Sequence, residues 1–294
     1  MRFALFVATL VAVGCLLLGS LGCSRKDKAP EPTDTSGTVN ESDAEAWAAV
    51  DQVPTRAAAW TSSLGMEFMR APGSEVLFCR YETRVQDYEP FASETGVKWP
   101  KPDFEQGPTH PAVNVSWYDA QAFCQWLTEK ERAAGRLRAD QKYRLPTDLE
   151  WSTAVGLSGE TGSTPKERNA GIKDVYPWGE QWPPPPGAGN FLGEENLQDS
   201  VWGKSVIAGY KDGVPRTAPV GRFKPNAYEL YDMSGNVWEW CEDFYDGSTG
   251  ARLLRGGSWG LTGSGFLLSS FRYAMAPGFS SASGGFRCVL TPFP

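Results

Sequence analysis

The 294-residue chain holds one histidine, His110, so any mechanism that needs two or three imidazoles, a three-histidine zinc or iron site among them, is excluded within it. The same count leaves no Ser-His-Asp or Cys-His arrangement. His110 directly precedes Pro111 and reads as a hydrogen-bonding core residue rather than a base, because the entry to the next helix needs its polar groups satisfied. The 35 acidic residues are too many to single out a hydrolytic carboxylate pair without geometry. Oxygen donors have a more specific use. Glu194, Glu195, Asp199 and Asp212 fall in a stretch from residue 156 to 225 that has almost no periodicity and includes four consecutive prolines, Pro183 to Pro186. Something other than backbone ladders must organise so long an irregular segment, and the expected organisers are bound cations and the buried rings of Trp178, Trp182 and Trp202.

The elements that must position these residues are short. Residues 64–70 and 75–83 alternate apolar and polar around Pro72-Gly73, the pattern of a hairpin. A short helix is expected over residues 86–95. Ser116 or Asn114 caps a helix from Trp117 to about Gly135, on which Ala120, Phe123, Cys124 and Leu127 share a face. Thr147 and Glu150 have capping-box spacing ahead of a second helix. Residues 253–259 and 284–289 read as strands closing a mixed sheet. No internal repeat or linker divides residues 60–294, which are expected to form a single domain.

The N-terminus reads as an export signal. Met1-Arg2 precede an uncharged apolar run from Phe3 to Leu21, and Ser20-Leu21-Gly22-Cys23 resembles a bacterial lipoprotein box, with leucine one place nearer the cysteine than usual. The expectation is a signal peptide over 1–22, lipidation at Cys23, a lipid anchor and flexible tether over 23–59, and an extracytoplasmic, membrane-anchored lipoprotein. Ser24 after the lipidated cysteine tilts the destination toward the outer membrane of a two-membrane cell. With 28 basic residues against 35 acidic ones and a net charge of −7, no nucleic-acid partner is expected. Cys15 leaves with the leader and Cys23 carries lipid. Four cysteines remain, Cys79, Cys124, Cys241 and Cys288, and an even number in an exported chain favours disulfides, with three pairings open.

Six motifs in order resemble the sulfatase-modifying-factor, or formylglycine-generating-enzyme, domain family: residues 111–117 with the Asp119-Ala120 helix, Arg144-Leu145-Pro146-Thr147 with Glu150-Trp151, Tyr176-Pro177-Trp178-Gly179, Gly235-Asn236-Val237-Trp238-Glu239-Trp240, Arg255-Gly256-Gly257-Ser258-Trp259 and Gly285-Phe286-Arg287. The resemblance implies an α+β chain with the complex C-type lectin-like fold and little regular secondary structure. It also implies two structural calcium (Ca2+) sites. One would use the Asn190 side chain, the Phe191 carbonyl, Asp212 and the Val214 carbonyl. The other would use Asp232, the Gly235 and Val237 carbonyls and Glu239. The bland alternative is that Asp212 only starts a turn and Glu239 only pairs with an arginine. The resemblance further implies a Cys124–Cys288 disulfide, closing about 160 residues for about 4 to 5 kcal/mol in the chain-entropy model. Cys79 and Cys241 are then left to pair with each other or to stay buried.

One departure bears on function. Formylglycine-generating members oxidise a cysteine in a sulfatase with copper held by two thiolates soon after the Arg-Gly-Gly-Ser motif, and residues 260–270 here contain no cysteine. Copper(I) needs soft ligands, so neither copper nor iron is expected. Other relatives bind iron through histidines that this chain lacks. The expected function is a non-catalytic binding or scaffold module, an accessory subunit of an envelope protein complex. An enzyme of altered chemistry, such as a metal-dependent oxidoreductase, and a lectin-like ligand-binding module are the alternatives. Phe266, Leu267, Leu268, Arg272, Tyr273 and Phe279 form either an exposed recognition surface or filler for the space a catalytic groove would occupy.

Overall fold

Period-two alternation on short strands sets the architecture. The computed structural model describes residues 58–199, 205–248 and 250–292; Cys23, the leader and the tether up to residue 57 lie outside the described residues, as does Trp202. One antiparallel sheet has the order β1-β2-β3-β9-β4, from β1 (Trp60–Thr61), β2 (Glu67–Arg70), β3 (Leu77–Cys79), β4 (Lys142–Arg144) and β9 (Val289–Thr291). The expected hairpin is β2 with β3, in the register Phe68 to Cys79 and Arg70 to Leu77. The second sheet has the order β7-β6-β5-β8, from β5 (Trp238–Phe244), β6 (Arg252–Arg255), β7 (Tyr273–Met275) and β8 (Gly284–Gly285). It is mixed, as its sequence suggests, because β8 runs parallel to β5.

Strands β2, β3, β5, β6 and β9 bury consecutive residues, so their two faces feed two different cores. Phe68, Leu77, Cys79, Trp240, Leu254 and Leu290 enter one cluster, with the rings of Tyr88, Phe91, Phe123 and Phe286. Their chain neighbours Met69, Phe78, Cys241, Leu253 and Val289 enter the other, around Trp151. Helices α1 (Val85–Thr95) and α2 (Trp117–Ala133) cover the first cluster, and α3 (Asp148–Val155) covers the second.

Capping starts the helices where the sequence places them. Ser116 Oγ accepts from the Asp119 N–H at 3.2 Å while the Asp119 carboxylate accepts from the Ser116 N–H at 3.0 Å. Thr147 and Glu150 repeat the arrangement at 3.3 and 2.8 Å. Between residues 156 and 225 the only regular pieces among the described residues are α4 (Pro165–Arg168) and a single 3-10 turn, Glu194–Asn196. A third apolar cluster organises this stretch, with Phe191, Tyr210 and Tyr176 buried and Trp178 stacked on Tyr176 at 4.8 Å. Trp182 only leans on Tyr176 and is 38% exposed. No helix among the described residues is long and apolar enough to cross a membrane.

Candidate metal centres and the face beside the Arg-Gly-Gly-Ser motif

The first oxygen set comes together in the irregular stretch. Asp212 Oδ2 accepts from the Phe191 N–H and Oδ1 from the Val214 N–H, both at 2.8 Å, which brings all four expected ligand residues to one locus. Asn190 is fully buried. Its Nδ2 donates to the Arg216 carbonyl at 2.6 Å and to Asn236 Oδ1 at 3.1 Å, so the amide cannot turn over, and its Oδ1 is left buried without a partner. Burial, with neighbouring Glu195 adding to it, pushes the Asp212 carboxyl up to about 7 despite the two N–H donors. Orphaned hard oxygens around a carboxylate that burial disfavours are a donor set that suits calcium.

The second set is built on backbone in the left-handed region. Asp232, Gly235 and Asn236 all have φ between 54° and 78°. At Gly235 only glycine fits, because a Cβ would lie 2.3 Å from the Asn190 carbonyl. This bend docks the segment on residue 190, with the Asn236 N–H donating to the Asn190 carbonyl at 2.9 Å. Asp232 Oδ2 accepts from the Gly221 N–H at 2.7 Å, while its Oδ1 is buried and unpartnered. Burial pushes its carboxyl up to about 6. Glu239 is differently placed. Its two oxygens accept from Arg287 Nε at 2.9 and 2.8 Å, Oε1 also from Arg287 Nη2 at 2.6 Å, and Oε2 from Trp151 Nε1 at 2.9 Å. The arginine pairing weighed for Glu239 is thus present. Sequence reading missed Glu82, which is fully buried, accepts from Asn236 Nδ2 at 2.6 Å and the Val237 N–H at 3.1 Å, and is pushed well above the usual carboxylate range by burial and then by Asp232 and Glu239. Three carboxyl groups, Glu82, Asp232 and Glu239, thereby share the influence of one guanidinium, and burial disfavours the charged form of Glu82 and Asp232. Among the described residues no three His, Cys, Asp or Glu side chains converge on one point, so carbonyl and amide oxygens have to complete either set.

The four described cysteines are buried thiols. Cys124 and Cys288 sit with their sulfurs 3.5 Å apart, the juxtaposition the family resemblance implies, without a bond between them. The second pairing, Cys79 with Cys241, needs correction. Alternation along β3 and β5 sends Cys79 into the first core and Cys241 into the second, so the fold does not bring them together.

The expected recognition surface also needs correction. Leu267 and Leu268 are 2% and 8% exposed and fill the third cluster, under Phe191 and Tyr176. Arg272 is drawn inward by Asp148, which it meets at 2.9 and 3.0 Å, and by Glu160 at 2.6 and 2.9 Å. Only Phe266 of the six is well exposed, at 49%, with Tyr273 and Phe279 half-buried. Phe266 packs edge-on to Phe271 at 5.3 Å; Phe271 and Tyr273 flank Trp238 at 6.0 and 5.3 Å, forming one aromatic tract. Beside it, Leu267 and Leu261 press on Gly257 of the Arg-Gly-Gly-Ser motif so closely that a Cβ there would lie 2.9 and 3.4 Å from them.

Asp148 is a second residue whose role the sequence hid behind a helix start. Its buried carboxylate is shared by Arg168, Arg255 and Arg272, the first at 2.8 Å. Arg255 also lies 4.3 Å over the Trp151 ring and donates to the Ser269 carbonyl at 2.8 Å. His110 is half-buried rather than deep in the core; its Nδ1 lies 3.1 Å from Thr217 Oγ1, and burial lowers its basicity.

Comparison with known proteins follows the same lines. The family model described as a sulfatase-modifying factor enzyme 1-like domain matches residues 40–292. A formylglycine-generating enzyme of Thermomonospora curvata is 30% identical over 256 residues, covering 76% of this chain and 69% of that protein. An inactive C-alpha-formylglycine-generating enzyme 2 of Bos taurus is 34% identical over 187 residues, covering 61% of this chain and 50% of that protein. The chain thus spans between half and about two thirds of these relatives' length. Among solved structures, PvdO from Pseudomonas aeruginosa has a TM-score of 0.51 at 23% identity, covering 77% of this chain and 91% of its own. CarF has the same TM-score at 24% identity, covering 74% and 87%. These likenesses carry the fold, which is of the formylglycine-generating-enzyme type expected from the motifs. With its family model matching over most of its length and its motifs in register, the chain belongs to the sulfatase-modifying factor enzyme 1-like domain family.

Proposed function

We propose that this chain is a non-catalytic binding or scaffold module of its family, an extracytoplasmic lipoprotein lipidated at Cys23 that serves as an accessory subunit of an envelope protein complex. The observation that carries the reading is the packing of Leu261 and Leu267 against Gly257, in the segment where catalytic relatives carry copper-binding thiolates. Aliphatic carbon offers copper no ligand. The described thiols lie elsewhere, and burial raises those of Cys79, Cys241 and Cys288 away from the thiolate form that binds metal. Relatives named as inactive support the same direction.

Structural calcium belongs to this reading. Asn190, the Phe191 carbonyl, Asp212 and the Val214 carbonyl would hold one ion. Asp232 with the Gly235 and Val237 carbonyls would hold another, with Glu239 sharing its carboxylate with Arg287. Bound there, calcium would neutralise buried carboxylates and pin irregular backbone that few ladders hold.

The partner surface is the aromatic tract that ends in exposed Phe266. Pull-down of the lipoprotein from its native membranes in mild detergent, quantified by mass spectrometry, is expected to recover a stoichiometric envelope protein that Phe266→Ser loses by about tenfold, the scale of one aromatic anchor. Because Phe266 is exposed, the variant keeps its melting temperature. Absence of any partner above background, or equal recovery by the variant, would overturn the assignment of this surface.

A further inference from the structure

Glu195 stands next to the first oxygen set but outside the ligands that the family resemblance supplies. It lies on the 3-10 turn Glu194–Asn196, and its Oε1 accepts weakly from the Gly193 N–H at 3.1 Å and from Asn196 Nδ2 at 3.3 Å. Its Oε2 is buried and has no partner. Gly193 reports the direction of the carboxylate. A Cβ on that residue would lie 2.6 and 2.8 Å from the two Glu195 oxygens and 2.8 Å from the Tyr210 carbonyl oxygen, so acid and carbonyl crowd the same small space. Glu195 also acts on Asp212 as a nearby like charge. Independently, the fully buried Asn190 leaves its Oδ1 with no donor at this locus, its Nδ2 being held by two other acceptors.

The Gly193 N–H donates both to the Phe191 carbonyl at 2.9 Å and to Glu195 Oε1, which seats the carboxylate beside that expected ligand, while Glu195 Oε2 and Asn190 Oδ1, buried without a donor, are left for a cation to satisfy. Arg222 is the one positive side chain that acts on Asp212 among its leading influences, and it does not bond Glu195 Oε2. We infer that Glu195 is a direct carboxylate ligand of the divalent cation at the first set, joining Asp212, Asn190 and the Phe191 and Val214 carbonyls. The inference rests on the proposal that this set holds calcium. Two carboxylates then match the charge of the ion, and Gly193 is required because any side chain would displace the Glu195 carboxylate from it.

The test is calcium titration of the full chain by calorimetry for the wild type, Glu195→Gln and Asp212→Asn, with terbium luminescence excited through the Trp178 ring, which packs 5.3 Å from Phe191. Loss of one charged ligand is expected to weaken one site by at least about tenfold in Glu195→Gln. The terbium decay should report extra coordinated water in that variant, a change that a merely structural glutamate would not produce. Near-UV circular dichroism in EGTA is expected to match the wild type, since Glu195 is half-exposed. Wild-type affinity and hydration in Glu195→Gln, with the site lost in Asp212→Asn, would overturn the role of Glu195 while leaving the site standing. Unchanged calcium binding in Asp212→Asn would overturn the underlying site.

Discussion

Replacing Asp148 by Asn is expected to cost about 3 to 5 kcal/mol of folding stability, the range for breaking a buried ion pair from one side. The substitution keeps shape but strands the charge of Arg168 and Arg255 and leaves Arg272 with Glu160 alone, all three guanidiniums being buried and paired to this one carboxylate. In a domain of this size the loss corresponds to a fall of about 10 °C in melting temperature. The exposed Arg138–Asp140 pair is the control. Its side chains are 55% and 60% exposed, and Asp140→Asn is expected to leave the midpoint where it was. The pH dependence has a definite sign. Burial pushes the Asp148 carboxyl up, yet Arg255 and Arg272 outweigh it and hold the group below its ordinary value. Stability from this residue is therefore complete above the ordinary carboxylate range near pH ~4 and is lost as pH falls through the lower folded value. Below about pH 4 the wild type should lose stability more steeply than Asp148→Asn. Equal midpoints for variant and wild type in urea or heat would refute the assignment of Asp148 as the hub.

Glu239→Gln should cost a comparable amount, about 3 to 5 kcal/mol, because Arg287 is fully buried and spends its Nε and Nη2 on that carboxylate. Trp151 Nε1 loses the charge of its acceptor as well. The measurement is chemical unfolding in EGTA and again in calcium. The larger part of the loss is expected in EGTA, since Arg287 makes its demand with or without a cation. Any additional loss confined to calcium measures the share of Glu239 in the second site. No loss in EGTA would mean that the ion pair contributes nothing and that Glu239 serves the cation alone.

Local signals account for what the sequence disclosed. Ser116 with Asp119 and Thr147 with Glu150 mark helix starts because a cap is satisfied by groups within three residues of it. The β2–β3 hairpin is equally local. The motifs from Asp232 to Glu239 are legible because left-handed backbone at Gly235 demands a particular residue. Long-range charge pairing is not legible in this way. Asp148 meets Arg255 and Arg272 from more than 100 positions away, and nothing near it in the chain announces that three guanidiniums will share it. The apolar run at Leu267 and Leu268 was ambiguous for a related reason: exposed patch and core filler have the same composition, and the direction is decided by the cluster around Phe191. Cys79 and Cys241 look alike as leftover cysteines, whereas strand alternation sends them into different cores.

The central claim is that the face beside Arg-Gly-Gly-Ser has exchanged chemistry for packing. Its most direct test is to reconstitute the protein with copper(I), add oxygen, a thiol reductant and a cysteine peptide that the Thermomonospora curvata enzyme converts, and follow the peptide by mass spectrometry. With Leu261 and Leu267 filling the space at Gly257, the peptide is expected to keep its sulfur throughout, while the relative converts it in a parallel reaction. Appearance of the aldehyde product in this chain's reaction would contradict the account.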